Sequence, residues 1–117
     1  TTASDVGDLT VNRYFNSANA SGTHGYVSSS TGAPKDRIEK WSFATDGNAV
    51  TVGALTVGRG GCAGMTQTSY GYVAGGYTYP PFAGTTVIDR FSLETDGDAA
   101  GVGDLLMGGN YHRGFQV

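Results

Sequence analysis

Ile38-Glu39-Lys40-Trp41-Ser42-Phe43-Ala44-Thr45-Asp46-Gly47-Asn48-Ala49 returns later in the chain as Ile88-Asp89-Arg90-Phe91-Ser92-Leu93-Glu94-Thr95-Asp96-Gly97-Asp98-Ala99, and nearly every difference is a like-for-like swap. Two flanking phrases recur with it. Val6-Gly7-Asp8-Leu9-Thr10-Val11 is echoed by Val52-Gly53-Ala54-Leu55-Thr56-Val57 and by Val102-Gly103-Asp104-Leu105-Leu106-Met107, while His24-Gly25-Tyr26-Val27 is echoed by Tyr70-Gly71-Tyr72-Val73. A repeat of about 50 residues built from short apolar runs marks β units that need neighbours to bury their faces.

Within the repeat, Trp41 and Phe43, like Phe91 and Leu93, alternate with Lys40 and Ser42, or Arg90 and Ser92. That period of two predicts a strand. A first strand is expected over 13–18 and again over 59–64, each opening on an arginine, and a second over 25–28 and 71–74. Asp46-Gly47 and Asp96-Gly97 stand between the third and fourth strands and predict two-residue type I′ hairpins, because this pair supplies the positive φ angles such a turn requires. The sum is an all-β fold with four short antiparallel strands per unit.

Four strands in about 50 residues describe one blade of a β-propeller. Tyr72-Val73-Ala74-Gly75-Gly76, followed after a loop by Val87-Ile88-Asp89-Arg90-Phe91, resembles the kelch repeat family. The first unit carries Ser28-Ser29 where the second has the double glycine, and Asn48 and Asp98 stand where a kelch blade has tryptophan. The Asp-Gly-Asn-Ala turn, the Val-Gly-Asp-Leu-Thr-Val phrase and Gly-Tyr-Val are similar to repeats in predicted marine bacteriophage proteins. That likeness implies a virion-associated or tail-appendage protein, placed in the virion or outside the cell.

Kelch strand order divides the chain into a last strand of a preceding blade at 1–12, blades at 13–58 and 59–108, and a first strand of a following blade at 109–117. Two complete blades with a partial one at each end cannot close a ring of four to eight. Further blades are therefore expected from a longer chain or from identical copies. An opening Thr1 in place of Met is expected to reflect processing or trimming.

Composition narrows the function classes. Glycine supplies 20 of 117 residues at matching places in the repeat, which indicates tight turns. Net charge is −3, and the seven Lys and Arg residues are scattered, so the basic stripe of a nucleic-acid-binding protein is missing. No apolar run reaches the length of a membrane-spanning helix, and membrane insertion is not expected.

Cys62, the single cysteine, lies in an expected strand without a His and acid partner at motif spacing, and reads as an inert packed thiol. Asp96-Gly97-Asp98 with Glu94 has a calcium-loop flavour, but the first copy reads Ala44-Thr45-Asp46-Gly47-Asn48 and lacks the acids at two of these places, so a hairpin turn is preferred to a metal site. His24 and His112 occupy unmatched repeat positions, and Gly58-Arg59-Gly60-Gly61 lacks the Lys-Ser or Lys-Thr ending of a phosphate loop. Mixed charges at Arg37, Glu39 and Lys40, and at Asp89 and Arg90, suit cross-strand pairing or an exposed edge. No catalytic, cofactor or metal residues are expected.

A partner-binding segment is expected instead at Tyr77, Tyr79, Pro80, Pro81 and Phe82, in a loop that lengthens the second unit. Aromatics give large contact area at small entropic cost and proline limits ordering cost, so the loop suits a glycan or protein partner. Packing over the adjacent blade is the competing reading. The expected function is a non-enzymatic structural and adhesion protein, a phage appendage meeting a host-surface glycan or another virion protein. A kelch-type interaction module of a cellular protein, or the propeller part of a carbohydrate-active enzyme, are the alternatives.

Overall fold

A computed structural model describes residues 2–109. The described chain is all-β, without helix, and forms two antiparallel sheets. The first is a meander of β1 (Ser17–Ala20), β2 (His24–Ser28), β3 (Arg37–Ser42) and β4 (Val50–Ala54). The second repeats it with β5 (Ala63–Gln67), β6 (Tyr70–Ala74), β8 (Ala83–Ser92) and β9 (Ala100–Gly109), and the two-residue β7 (Tyr77–Thr78) pairs with the start of β8.

The two sheets share one register. Gly25 pairs with Trp41 and Gly71 with Phe91; Gly53 pairs with Ile38 and Gly103 with Ile88. Both glycines opposite the aromatic are required for space, since a Cβ at Gly25 would lie 2.4 Å from the Trp41 ring and one at Gly71 2.6 Å from the Phe91 ring. Ser28 pairs with Ser17 as Ala74 pairs with Ala63, so the double glycine Gly75-Gly76 is matched by Ser29 and Ser30 rather than by Ser28 and Ser29. Ser29 takes the left-handed φ of 60° that Gly75 takes at 66°.

The sheets pack face to face through β1 against β5 and β6. Tyr26, Ile38, Leu55, Cys62, Val73, Phe91 and Leu93 form the buried core between them. Each large apolar side chain buried in this way contributes about 1.5–3 kcal/mol. The Tyr26 ring lies 5.7 Å from that of Phe91, and its hydroxyl donates to the Leu93 carbonyl at 3.1 Å. Asn19 Nδ2 donates to the Met65 carbonyl at 2.5 Å across the same interface.

Three expectations are corrected. The first strands begin at Ser17 and Ala63, not at the arginines. Left-handed residues Phe15 and Gly61 break the extended backbone there and turn the preceding arginines inward. The Asp-Gly pairs are not two-residue hairpins, because residues 43–49 and 93–99 form seven-residue connections. Ser42 Oγ accepts from the amides of Ala44 and Thr45, and Ser92 Oγ from those of Glu94 and Thr95, which sets a wide loop. Residues 2–16 form no strand. The strand expected beyond Gly109 lies outside the described residues.

Candidate functional site

The phrase that leads into each unit grips the following sheet at two places. The deeper grip is ionic. Arg59 Nη1 meets Asp89 Oδ2 at 2.9 Å with both side chains at 0% exposure. The other guanidinium hydrogens go to carbonyl oxygens: Nε to Gly75 at 2.8 Å, Nη2 to Val73 at 2.9 Å and Nη1 to Val57 at 3.0 Å. Thr56 completes the group, its amide donating to Asp89 Oδ2 at 3.0 Å and its hydroxyl to Oδ1 at 2.6 Å.

The first unit repeats this lock with different spacing. Arg13 Nε meets Glu39 Oε2 at 2.5 Å, also at 0% exposure, and the Thr10 amide donates to Glu39 Oε1 at 2.6 Å. Burial alone would raise the Glu39 carboxyl, but hydrogen bonds from Thr10 and the Arg13 cation outweigh it and hold the group below its ordinary 4.5. Glu39 and Asp89 are thus buried structural acids, which corrects the exposed-edge reading. A burial cost for charge is tolerable here because every carboxylate oxygen is hydrogen-bonded.

The second grip is on the turns. Gly47 and Ala49 amides donate to the carbonyls of Val6 and Asp8 at 2.8 and 2.9 Å, and Asn48 Oδ1 accepts the Asp8 amide at 2.9 Å. One unit on, the Ala99 amide donates to the Ala54 carbonyl at 2.8 Å and Asp98 Oδ1 accepts the Ala54 amide at 3.1 Å. Asp98 is therefore occupied as a turn acceptor, and Asp46-Gly47 and Asp96-Gly97 serve as contacts between units. Gly7 and Gly53 are needed for this approach, since their Cβ atoms would lie 2.2 and 2.0 Å from the Gly47 and Gly97 carbonyl oxygens.

Every carboxylate oxygen and every Arg59 nitrogen in the two locks is hydrogen-bonded, whereas Arg13 Nη2 is buried without a partner. Cys62 is buried, and burial pushes its thiol above the ordinary 9.0. His24 Nδ1 lies 2.8 Å from the Thr23 hydroxyl. Among the described residues, no three His, Cys, Asp or Glu side chains gather as a metal group.

The expected partner-binding loop is divided by the structure. Tyr77 is only 7% exposed, its backbone pairs with Gly60, and its ring lies 4.7 Å from that of Phe82. Tyr79 and Phe82 are 58% and 59% exposed, and Pro80 and Pro81 are exposed with them. Tyr77 therefore anchors a loop whose tip is free to make contacts.

Two neighbours of this loop were not legible in the sequence. Lys35, from the connection between β2 and β3, donates its Nζ to the Tyr79 carbonyl and lies 5.6 Å from the Tyr79 ring centroid. Tyr14 and Phe15 are exposed, with rings 6.2 Å apart, and the Phe15 carbonyl accepts from the Gly61 amide at 2.8 Å while Gly60 pairs with Tyr77. This end of the sheets thus carries Tyr14, Phe15, Lys35, Tyr79, Pro80, Pro81 and Phe82. Only the length and aromatic content of the 77–82 loop gave a signal, and nothing in sequence spacing linked it to the other three.

No family model matches the chain, and no curated protein matches it.

Proposed function

We propose that this chain is a non-enzymatic structural and adhesion module, a pair of propeller-type blades of a viral appendage whose loop end meets a host-surface glycan. The observation that supports the reading is the exposed aromatic rings: Tyr14, Phe15, Tyr79 and Phe82 stand in solvent, with Lys35 over Tyr79, while the buried charges at Arg13, Glu39, Arg59 and Asp89 are paired inside the fold. Aromatic faces stack on the apolar faces of sugars, and large rings exposed in one patch are uncommon unless something covers them. The kelch-like repeat wording favours blades, and its likeness to phage repeats favours a virion role. Another virion protein is the second occupant that such a surface suits.

The reading is tested by replacing Tyr79 and Phe82 together with alanine and leaving Tyr77 intact. Binding to immobilised host-surface glycans is expected to fall by about tenfold or more with the melting temperature unchanged. Glycan binding equal to that of the parent chain, or none by the parent chain, contradicts it.

A further inference from the structure

The two ends of the described chain carry the same tetrapeptide. Val6-Gly7-Asp8-Leu9 and Val102-Gly103-Asp104-Leu105 are identical, whereas the middle copy reads Val52-Gly53-Ala54-Leu55. The first grips the turn at 47–49 and the middle copy grips the turn at 97–99. The last copy sits in β9 with Gly103 opposite Ile88, the position Gly53 holds opposite Ile38. A Cβ at Gly103 would meet nothing nearer than the Ile88 side chain at 4.0 Å, where Gly7 and Gly53 each have a carbonyl oxygen pressed against them. Val102, Leu106 and Met107 are exposed along the same strand.

We propose that residues 102–105 of one copy take the turn at 45–49 of a second copy, in place of that copy's own residues 6–9, and join the two chains head to tail. The exchange keeps the same four side chains on the turn, so it costs little in contacts. It also leaves the Arg13–Glu39 pair of the receiving copy uncontested. The third phrase has Leu106 and Gly109 where the others have Thr10 and Arg13 or Thr56 and Arg59, and therefore brings nothing to compete for Glu39.

The faces that would meet are the two halves of the interface already seen between the sheets. Trp41 lies over Gly25 as Phe91 lies over Gly71. Beside it is a cavity of about 130 Å³ lined by Val6, Leu9, Trp41, Gly47 and Ala49. Between the sheets, the place next to Phe91 is filled by Tyr26, and the repeat equivalent of Tyr26 is Tyr72 on the open side of the second sheet. Tyr72 of one copy fits beside Trp41 of the next, with its hydroxyl donating to the Phe43 carbonyl as Tyr26 donates to Leu93. Contacts of this heterologous kind build a ring when the rotation closes and a filament when it does not.

The inference rests on the packing between units and not on the aromatic loop end, so the Tyr79 and Phe82 variant is expected to associate like the parent. Sedimentation of the whole 117-residue chain over a concentration series tests it, with three variants. Gly103→Ala is expected to lower the association constant by about tenfold or more with circular dichroism and melting unchanged, since the added methyl meets only the incoming carbonyl. Gly7→Ala drives residues 6–8 off their own turn and is expected to raise association by a similar factor; because the two effects multiply, the double variant is expected to fall about tenfold below Gly7→Ala, to about the parent level. Association of Gly103→Ala equal to that of the parent chain overturns the proposal. So does a parent chain that stays monomeric together with a Gly7→Ala variant that does.

Discussion

Replacing Asp89 by alanine removes the acceptor at the centre of the lock while leaving a cation that has no route to solvent. Arg59 and Asp89 are both at 0% exposure, and Thr56 loses two hydrogen bonds at the same time. Breaking a buried pair from one side costs about 3–5 kcal/mol, and the two lost hydrogen bonds fall within that range rather than adding to it in full. With a total stability of about 5–15 kcal/mol for a domain, a loss near 4 kcal/mol removes a large share. At a urea dependence of about 2 kcal/mol per molar, the midpoint should fall by about 2 M. The control is Asp96→Ala, which breaks the Lys40 pair whose side chains are 21% and 55% exposed and which is worth at most about 1 kcal/mol. Trp41, in the first sheet, supplies the fluorescence signal, and far-ultraviolet circular dichroism reports both sheets. Coincident transitions shifted far more by Asp89→Ala than by Asp96→Ala are expected. A shift no larger than that of the control refutes the reasoning, and so does a Trp41 transition that ignores the Asp89 change.

Gly53→Ala would place a methyl 2.0 Å from the Gly97 carbonyl oxygen and should destabilise by about 1–3 kcal/mol, whereas Gly97→Ala, with no atom within 4 Å and no positive φ, should change the urea midpoint little. Glu39 is held below its ordinary 4.5 in the folded state, so its contribution is present above that value and lost as pH falls through the folded value; the melting temperature should drop on acidification below about pH 4.5, and Glu39→Gln should flatten that drop. Cys62 should resist a thiol reagent in the native chain and react at a rate that tracks unfolding as urea is added, because burial both shields the thiol and raises its pKa.

The strands were readable because their side chains follow the pleat. Trp41 and Phe91, each pressed over a glycine of the neighbouring strand, are the clearest example, and the repeated wording fixed the count of units. The ionic lock was not readable in the same way, because Glu39 and Asp89 stand among solvent-facing charges in mixed-charge strands. A signal did exist: Thr and Arg three residues apart occur at 10 and 13 and at 56 and 59, each ahead of one acid, and both disappear together at 106 and 109. The Asp-Gly turns were misjudged for a local reason. Ser42 and Ser92 cap the loop before the glycine is reached, and Asn48 and Asp98 are spent on the neighbouring unit, so the pair never closes a two-residue hairpin. Lys35 reaches Tyr79 only through the stacking of two sheets, which no spacing within one repeat encodes.

Amide hydrogen exchange followed residue by residue tests most directly whether the leading phrase of each unit clamps the next turn. The Ala99 amide donates to Ala54 from a connection outside the strands, and Gly47 and Ala49 do the same toward Val6 and Asp8. Ala99 is expected to be protected to nearly the level of the core strands, Gly53→Ala is expected to strip this protection, and Gly47 and Ala49 are expected to remain as protected as before. Exchange of the Ala99 amide at the rate of an open loop in the parent chain would contradict the clamp.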